Sequence, residues 1–149
     1  MSDRSPSDDH PAVTIDPDQR LREMLEALEI PYEVDEDGDF EVGVRLDPHT
    51  QRVWISGTIC TVHKAEVRDV FAYGCMVPEG STLPPQLCLE LLARRHAIGA
   101  WVTLGERAAC FTASLDVAAS PELLESTLLA VAETSLQLRL ELAELTESN

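Results

Sequence analysis

The chain has 149 residues, enough for one domain with a real core and too few for two. Hydrophobic residues make up 44% and charged residues 26%, which excludes a disordered chain; no run approaches a membrane span, and Met1-Ser2-Asp3-Arg4-Ser5 lacks a signal peptide's apolar stretch, so a cytoplasmic protein is expected. Twenty-seven acidic residues against eleven basic ones leave a formal charge of −16, a field that repels a phosphate backbone and argues against direct nucleic-acid binding.

Residues 1–15 hold almost nothing apolar before Val13 and are expected to form a flexible N-terminal tail. A single domain is expected over 16–146, with 147–149 as a short C-terminal tail. Asp16-Pro17-Asp18-Gln19 places an acid at a helix N-cap, Pro at the first helical position and Gln three residues past the cap. Leu21, Met24, Leu25 and Leu28 follow at 3–4 spacing, which predicts an amphipathic helix ending near Glu29, before Pro31.

A hairpin comes next. A three-residue loop at Glu36-Asp37-Gly38, with Gly38 in the left-handed region, sets Val34 opposite Phe40, Tyr32 opposite Val42 and Ile30 opposite Val44. Glu33 and Glu41 then share the other face; a two-residue loop at Asp37-Gly38 would mix the faces. A further strand is predicted from Arg52 to about Cys60, with Val53, Ile55, Gly57 and Ile59 alternating against Arg52, Trp54, Ser56 and Thr58. A four-residue turn before it would set Asp47 opposite Arg52. Residues 66–76 allow helix or strand, and their Val, Phe and Tyr content favours a strand.

Gln86 to His96 predicts a short helix with Leu87, Cys88, Leu91 and Leu92 on one face and Arg94-Arg95-His96 in its last turn, complementing the dipole. Two strands, Ile98–Leu104 and Arg107–Leu115, are expected around a Gly105-Glu106 turn of type II′, pairing Ala100 with Phe111, Trp101 with Cys110 and Val102 with Ala109. Last comes a long helix capped by Ser120-Pro121-Glu122 and running to about Leu145. Leu124, Leu128, Val131, Ser135, Leu138, Leu142 and Leu145 keep 4-3-4-3 spacing, and Leu129, Ala132, Leu136, Leu140 and Ala143 widen the apolar arc. Covering one sheet face needs an arc of roughly 100°. The excess predicts burial against another helix or a second copy, and Leu128, Val131, Leu138 and Leu142 are the expected homodimer contacts. The element order predicts an α+β fold, an α-β-β-β-α-β-β-α sandwich with a largely antiparallel sheet.

No catalytic motif emerges. His10, His49, His63 and His96 are scattered without metal-ligand spacing. The run Asp35-Glu36-Asp37-Gly38-Asp39 has its Gly at the fourth position and Leu46 at the twelfth, which fits a hairpin turn better than a calcium loop. Ser56-Gly57 lies in a strand pattern rather than at a nucleophile elbow. No glycine-rich phosphate loop is present. Cys60, Cys75, Cys88 and Cys110 lack a C-x-x-C pair and are expected to be reduced thiols acting as small hydrophobes. No cofactor or metal is therefore expected. Acidity is concentrated in residues 17–47 (net −8) and 120–149 (net −5), while residues 48–119 are neutral. That asymmetry fits either a solvating surface or steering toward a basic partner.

The element order and several segments resemble the bacterial YbjN-like family, which shares the fold of the class I chaperones of type III secretion. The residues that carry the likeness are Leu87–Leu92 running through Arg94-Arg95-His96 into Ile98-Gly99-Ala100-Trp101-Val102, with Phe111-Thr112-Ala113-Ser114-Leu115 and the helix start Ser120-Pro121-Glu122-Leu123. Arg94–Ala97 depart from the Asn residues that members often carry there. The resemblance implies a non-enzymatic, protein-binding, chaperone-like or adaptor homodimer; charge and the lack of an apolar span set the expectation of no direct nucleic-acid or membrane contact. Charge adds the expectation of a basic protein partner such as a nucleic-acid-binding protein. The expected partner surface is Trp54 with Arg52 and the acidic residues Glu33, Asp35, Glu36 and Glu41. The rival reading is a small-molecule-binding domain or weak hydrolase with a pocket between sheet and helices.

Overall fold

The computed structural model describes residues 16–148. In chain order the elements are α1 (Pro17–Ala27), β1 (Tyr32–Val34), β2 (Phe40–Leu46), β3 (His49–Ile55), β4 (Cys60–Val62), β5 (Ala65–Met76), α2 (Pro85–Ala93), β6 (Ala100–Leu104), β7 (Ala108–Asp116) and α3 (Pro121–Ser148). The fold is the expected α+β sandwich. Seven antiparallel strands form one sheet in the order β1-β2-β3-β5-β7-β6, with β4 pairing on β5 beside the path.

Local chemistry sets the elements. The Asp16 carboxylate accepts the Asp18 and Gln19 amides at 3.1 and 3.2 Å, satisfying two open N–H groups at the start of α1. Ser120 Oγ does the same for Leu123 at 3.1 Å in α3. The first hairpin has the predicted register, Tyr32 opposite Val42, Glu33 opposite Glu41 and Val34 opposite Phe40. Asp35 N–H donates to Asp39 O at 2.9 Å across the three-residue loop, and Gly38 takes a φ of +87°.

Several expectations are corrected. β3 begins at His49, not Arg52, because a two-residue turn at Asp47-Pro48 sets Leu46 opposite His49. Arg52 therefore lies opposite Gly43 and pairs with Glu41 at 3.2 Å, while Asp47 pairs with Arg45 at 2.6 Å. β3 also ends early, at Ile55. Gly57 tucks under the first hairpin, where an added Cβ would stand 2.2 Å from Gly38 O, and its N–H donates to Asp39 Oδ1 at 2.8 Å. Residues 60–62 then form the extra strand β4. Residues 66–76 are strand, as their composition favours. Helix α2 stops at Ala93, so no basic side chain lies in its last turn; Arg94 is its C-cap, its N–H donating to Leu91 O at 3.1 Å, and Arg95 and His96 follow. Arg94 reaches Glu141 of α3 at 3.5 Å, and the His96 ring packs edge-on against Phe111. In the last hairpin Gly105 and Glu106 both take positive φ, and the register moves by one: Trp101 opposite Phe111, Val102 opposite Cys110. This register puts Trp101 and Phe111, 3% and 1% exposed, together in the core. α3 continues to Ser148, past the expected end; the Leu145 side chain and the tail 1–15 lie outside the described residues.

All three helices lie on one face of the sheet. Phe40, Val42, Val53, Ile55, Val70, Phe111 and Leu115 point into them, against Leu21 and Leu25 of α1, Leu91 of α2, and Leu124, Leu128, Val131 and Leu138 of α3. Two polar anchors sit in this layer. Arg68, 3% exposed, donates to Asp18 at 3.0 Å and to Ser56 O at 3.1 Å, fastening α1 to the sheet. Gln51, 2% exposed, donates to Ser135 Oγ at 3.0 Å and Tyr73 O at 3.3 Å, and accepts from Arg139 Nη1. Ser135 is the polar member of the α3 stripe, and its partner is the polar residue on the core face of β3. Each thereby avoids the cost of an unpaired buried group.

Candidate functional site

Among the described residues, the opposite face of the sheet carries no helix. Because strand side chains alternate, the neighbours of each core residue emerge there. Strand register builds one continuous row across five pairings: Glu33, Glu41, Trp54, Phe71, Thr112 and Ala100. Trp54 stacks on Phe71 with ring centroids 5.9 Å apart and planes inclined by 13°. Tyr73, two residues further along β5, meets Trp54 edge-on at 5.4 Å and Phe71 at 6.3 Å. The result is a half-buried triangle of three of the chain's seven aromatic side chains. Glu33 and Glu41 border it on one side and Arg52 lies beside it.

The expected partner residues divide on this surface. Glu33, Glu41, Arg52 and Trp54 come together, with Glu41 and Arg52 ion-paired. Glu36 is exposed at the hairpin tip. Asp35 serves the turn instead, its Oδ1 accepting the amides of Asp37 and Asp39 at 2.9 and 3.0 Å. The carboxylates of Asp35, Asp37 and Asp39 do converge, with candidate ligand atoms within 4.8 Å of one another. The turn bonds accepted by Asp35 Oδ1 and the Gly57 N–H bond accepted by Asp39 Oδ1 already fix two of these three carboxylates. Phe71 and Tyr73 were missed by sequence reasoning; once residues 66–76 are read as a strand, alternation places both beside Trp54.

The residues expected to join two copies lie elsewhere than predicted. Leu128, Val131 and Leu138 are 1%, 0% and 1% exposed, and Leu142 is partly buried, all against this chain's own sheet. The wide apolar arc of α3 is largely consumed inside the subunit, since Ala132 and Leu136 are buried too; Leu129 and Leu140 remain outside. Other apolar side chains stand exposed: Leu89 and Leu92 on α2, Ile98 in the connection that follows it, and Leu104 at the end of β6 are 41–64% accessible. β6 pairs only with β7 among the described strands, so its other edge is free.

The sheet also has a gap. On the side facing β3, β5 is paired by β4 at its start and by β3 at Val70 and Phe71, but by no described strand from Ala72 to Met76. β3 likewise pairs only with β2 from His49 to Val53. A cavity of about 380 Å³ occupies the opening, walled by Arg52, Trp54 and Tyr73 from the open face, by Gln51 and Gly74 from the helix face, and by Arg139 of α3. Its lining thus draws on residues of both faces.

The cysteines are free thiols. Cys60 is exposed, which corrects its expected burial. Burial pushes the Cys110 thiol up to about 11 and raises Cys75 and the Tyr73 hydroxyl as well. None of these groups is activated as a nucleophile.

A sheet backed by helices on one face, with aromatic side chains on the other, is a two-layer α+β fold. The Yersinia pestis type III secretion chaperone SycH, solved in complex with a stable fragment of YscM2, is similar in structure: TM-score 0.51, 15% identity, covering 83% of this chain and 99% of that one. At that identity the likeness is one of fold. Residues 17–144 match the YbjN family, described as "Putative bacterial sensory transduction regulator", and the chain belongs to that family. No curated protein matches the sequence. No described helix is long and apolar enough to cross a membrane.

Proposed function

We propose that the open face of the sheet takes hold of another polypeptide, and that the protein acts as a non-enzymatic, homodimeric adaptor in the cytoplasm. The observation that carries this reading is the uncovered Trp54–Phe71–Tyr73 triangle set in register with Glu33 and Glu41. Aromatic side chains supply large, rigid contact area at low entropic cost and are enriched where proteins meet. Membership of a family described as regulators and a fold shared with a chaperone solved with a protein fragment both support it. Net charge and the bordering glutamates favour a basic partner, a nucleic-acid-binding protein being one kind. Self-association is assigned to α2 and the free edge of β6, through Leu89, Leu92, Ile98 and Leu104, in place of the consumed α3 stripe.

Affinity capture from the native cell tests the partner surface. The wild-type chain is expected to retain one stoichiometric protein that a Trp54→Ala/Phe71→Ala variant loses and that Glu33→Gln/Glu41→Gln holds less well at low salt. Equal capture by all three would overturn the assignment. Sedimentation at micromolar concentration tests the dimer: Leu92→Asp with Leu104→Asp is expected to give monomer, and a wild-type chain already monomeric there would contradict it.

A further inference from the structure

The gap between β3 and β5 has a chemistry opposite to that of the molecule. The chain carries −16 overall, yet the lining of this cavity includes two arginines and no carboxylate. Arg52, at the rim, is matched by Glu41. Arg139 is not matched by any described carboxylate: one of its five N–H groups donates to Gln51 Oε1, leaving the rest of the fork uncommitted. Gln51 is itself 2% exposed and fixed by Ser135 and Tyr73 O, so the hydrogen bond it accepts orients the guanidinium. The gap adds a second, independent feature. Among the described residues β5 has no ladder partner on the side it would turn to β3 from Ala72 to Met76, and the Gln51 side chain supplies one hydrogen bond in place of the missing ladder. Trp54 and Tyr73 give apolar walls. A small cavity with apolar walls and a few convergent polar groups is the common form of a ligand site, and about 380 Å³ is within the usual range of roughly 300–1,000 Å³.

We propose that this cavity is an oxyanion site, taking a carboxylate or phosphate group on the Arg139 guanidinium. A positioned guanidinium matches the planar fork of a carboxylate and the oxygens of a phosphate. The long-range field repels anions, so binding depends on contacts inside the cavity. The site shares Arg52, Trp54 and Tyr73 with the open face but rests on Arg139 and Gln51, which the open-face reading does not use; that reading bears only on the source of the anion, which is either a free small molecule or a carboxylate carried by a bound polypeptide.

Trp54 lines the cavity and Trp101 is buried in the core, so tryptophan fluorescence reports on the site. Inorganic phosphate and succinate are titrated separately, together with a short acetylated peptide bearing a free C-terminal carboxylate and its amide twin. Saturable binding of at least one anionic probe is expected, weakened about tenfold or more by Arg139→Gln, less by Arg139→Lys, and unchanged by Arg94→Gln. Circular dichroism confirms that each variant is folded. Preference for the carboxylate peptide over its amide, with competition by succinate, assigns the anion to a polypeptide; free anions binding without that preference assign it to a small molecule. No saturable response to any anionic probe, or a response that Arg139→Gln leaves intact, overturns the site. Acid and amide peptides binding equally, with no anion response, would overturn the site while upholding the open-face reading.

Discussion

On the helix face of the sheet, Phe40, Val53, Ile55, Val70 and Phe111 are at most 1% exposed beneath three helices, whereas Trp54, Phe71 and Tyr73, on the same central strands, keep part of their surface in water. The two sets are chemically alike and separated by a single step in strand alternation. The difference lies in what covers them. Helix-face residues draw their stabilisation from contacts within the chain, at roughly 25 cal/mol per Å² of apolar surface removed from water. Open-face residues have part of that gain still available to a partner. Stability and binding should therefore respond to different residues.

Substitutions can break or sharpen that contrast. The largest effect is expected on the helix face, where Leu128→Ala or Leu138→Ala should cost about 3 kcal/mol in urea unfolding, through lost burial and the cavity left behind. Gly74→Ala should follow at about 2 kcal/mol. An added Cβ there would stand 2.5 Å from the Trp101 ring and 2.8 Å from a Leu138 methyl. Asp18→Ala leaves the Arg68 guanidinium, 2% exposed, with one fewer partner, and should cost about 1–2 kcal/mol because Asp18 itself is half-open to solvent. Trp54→Ala should cost only about 1 kcal/mol of stability, the stacking with Phe71 and Tyr73, while removing partner capture. Comparable losses for Trp54→Ala and Leu138→Ala would erase the distinction between the faces.

The smallest effect is a titration. Cys110 is neutral in the fold until about pH 11, against an ordinary value of 9.0. Between those values the unfolded chain releases a proton that the folded chain keeps. Stability should be unaffected by this group below about pH 9 and should decline as pH rises toward about 11. Iodoacetamide at neutral pH should modify the exposed Cys60 first and Cys110 only after unfolding.

Much of the helix face was legible in the sequence because alternation and helical spacing report burial directly. The first hairpin is the clearest instance: only a three-residue loop kept Tyr32, Val34, Phe40 and Val42 together, and that register is the one found. The last hairpin failed by one residue because its loop spans three residues, 105–107, instead of the two that Gly105-Glu106 suggests, and this register pairs Trp101 with Phe111 in the core. Arg68 was illegible, since a charged residue in a strand reads as solvent-facing until Asp18 and Ser56 O are seen beside it. α3 misled in a specific way. Its apolar circumference was measured correctly, but the sheet and the flanks of the subunit cover more of it than a narrow stripe would need, burying Ala132 and Leu136 as well. The gap between β3 and β5 depends on where pairing stops, which no local pattern encodes.

The central claim is that polypeptide binds on the uncovered face. Amide chemical-shift mapping of the labelled protein during titration with a disordered, lysine-rich, aromatic-containing polypeptide tests it most directly. Shifts concentrated along Glu33, Glu41, Trp54, Phe71 and Thr112, with the buried amides of Leu128 and Leu138 unmoved, are predicted. Shifts centred on the helices, or none on that row at saturation, would contradict it.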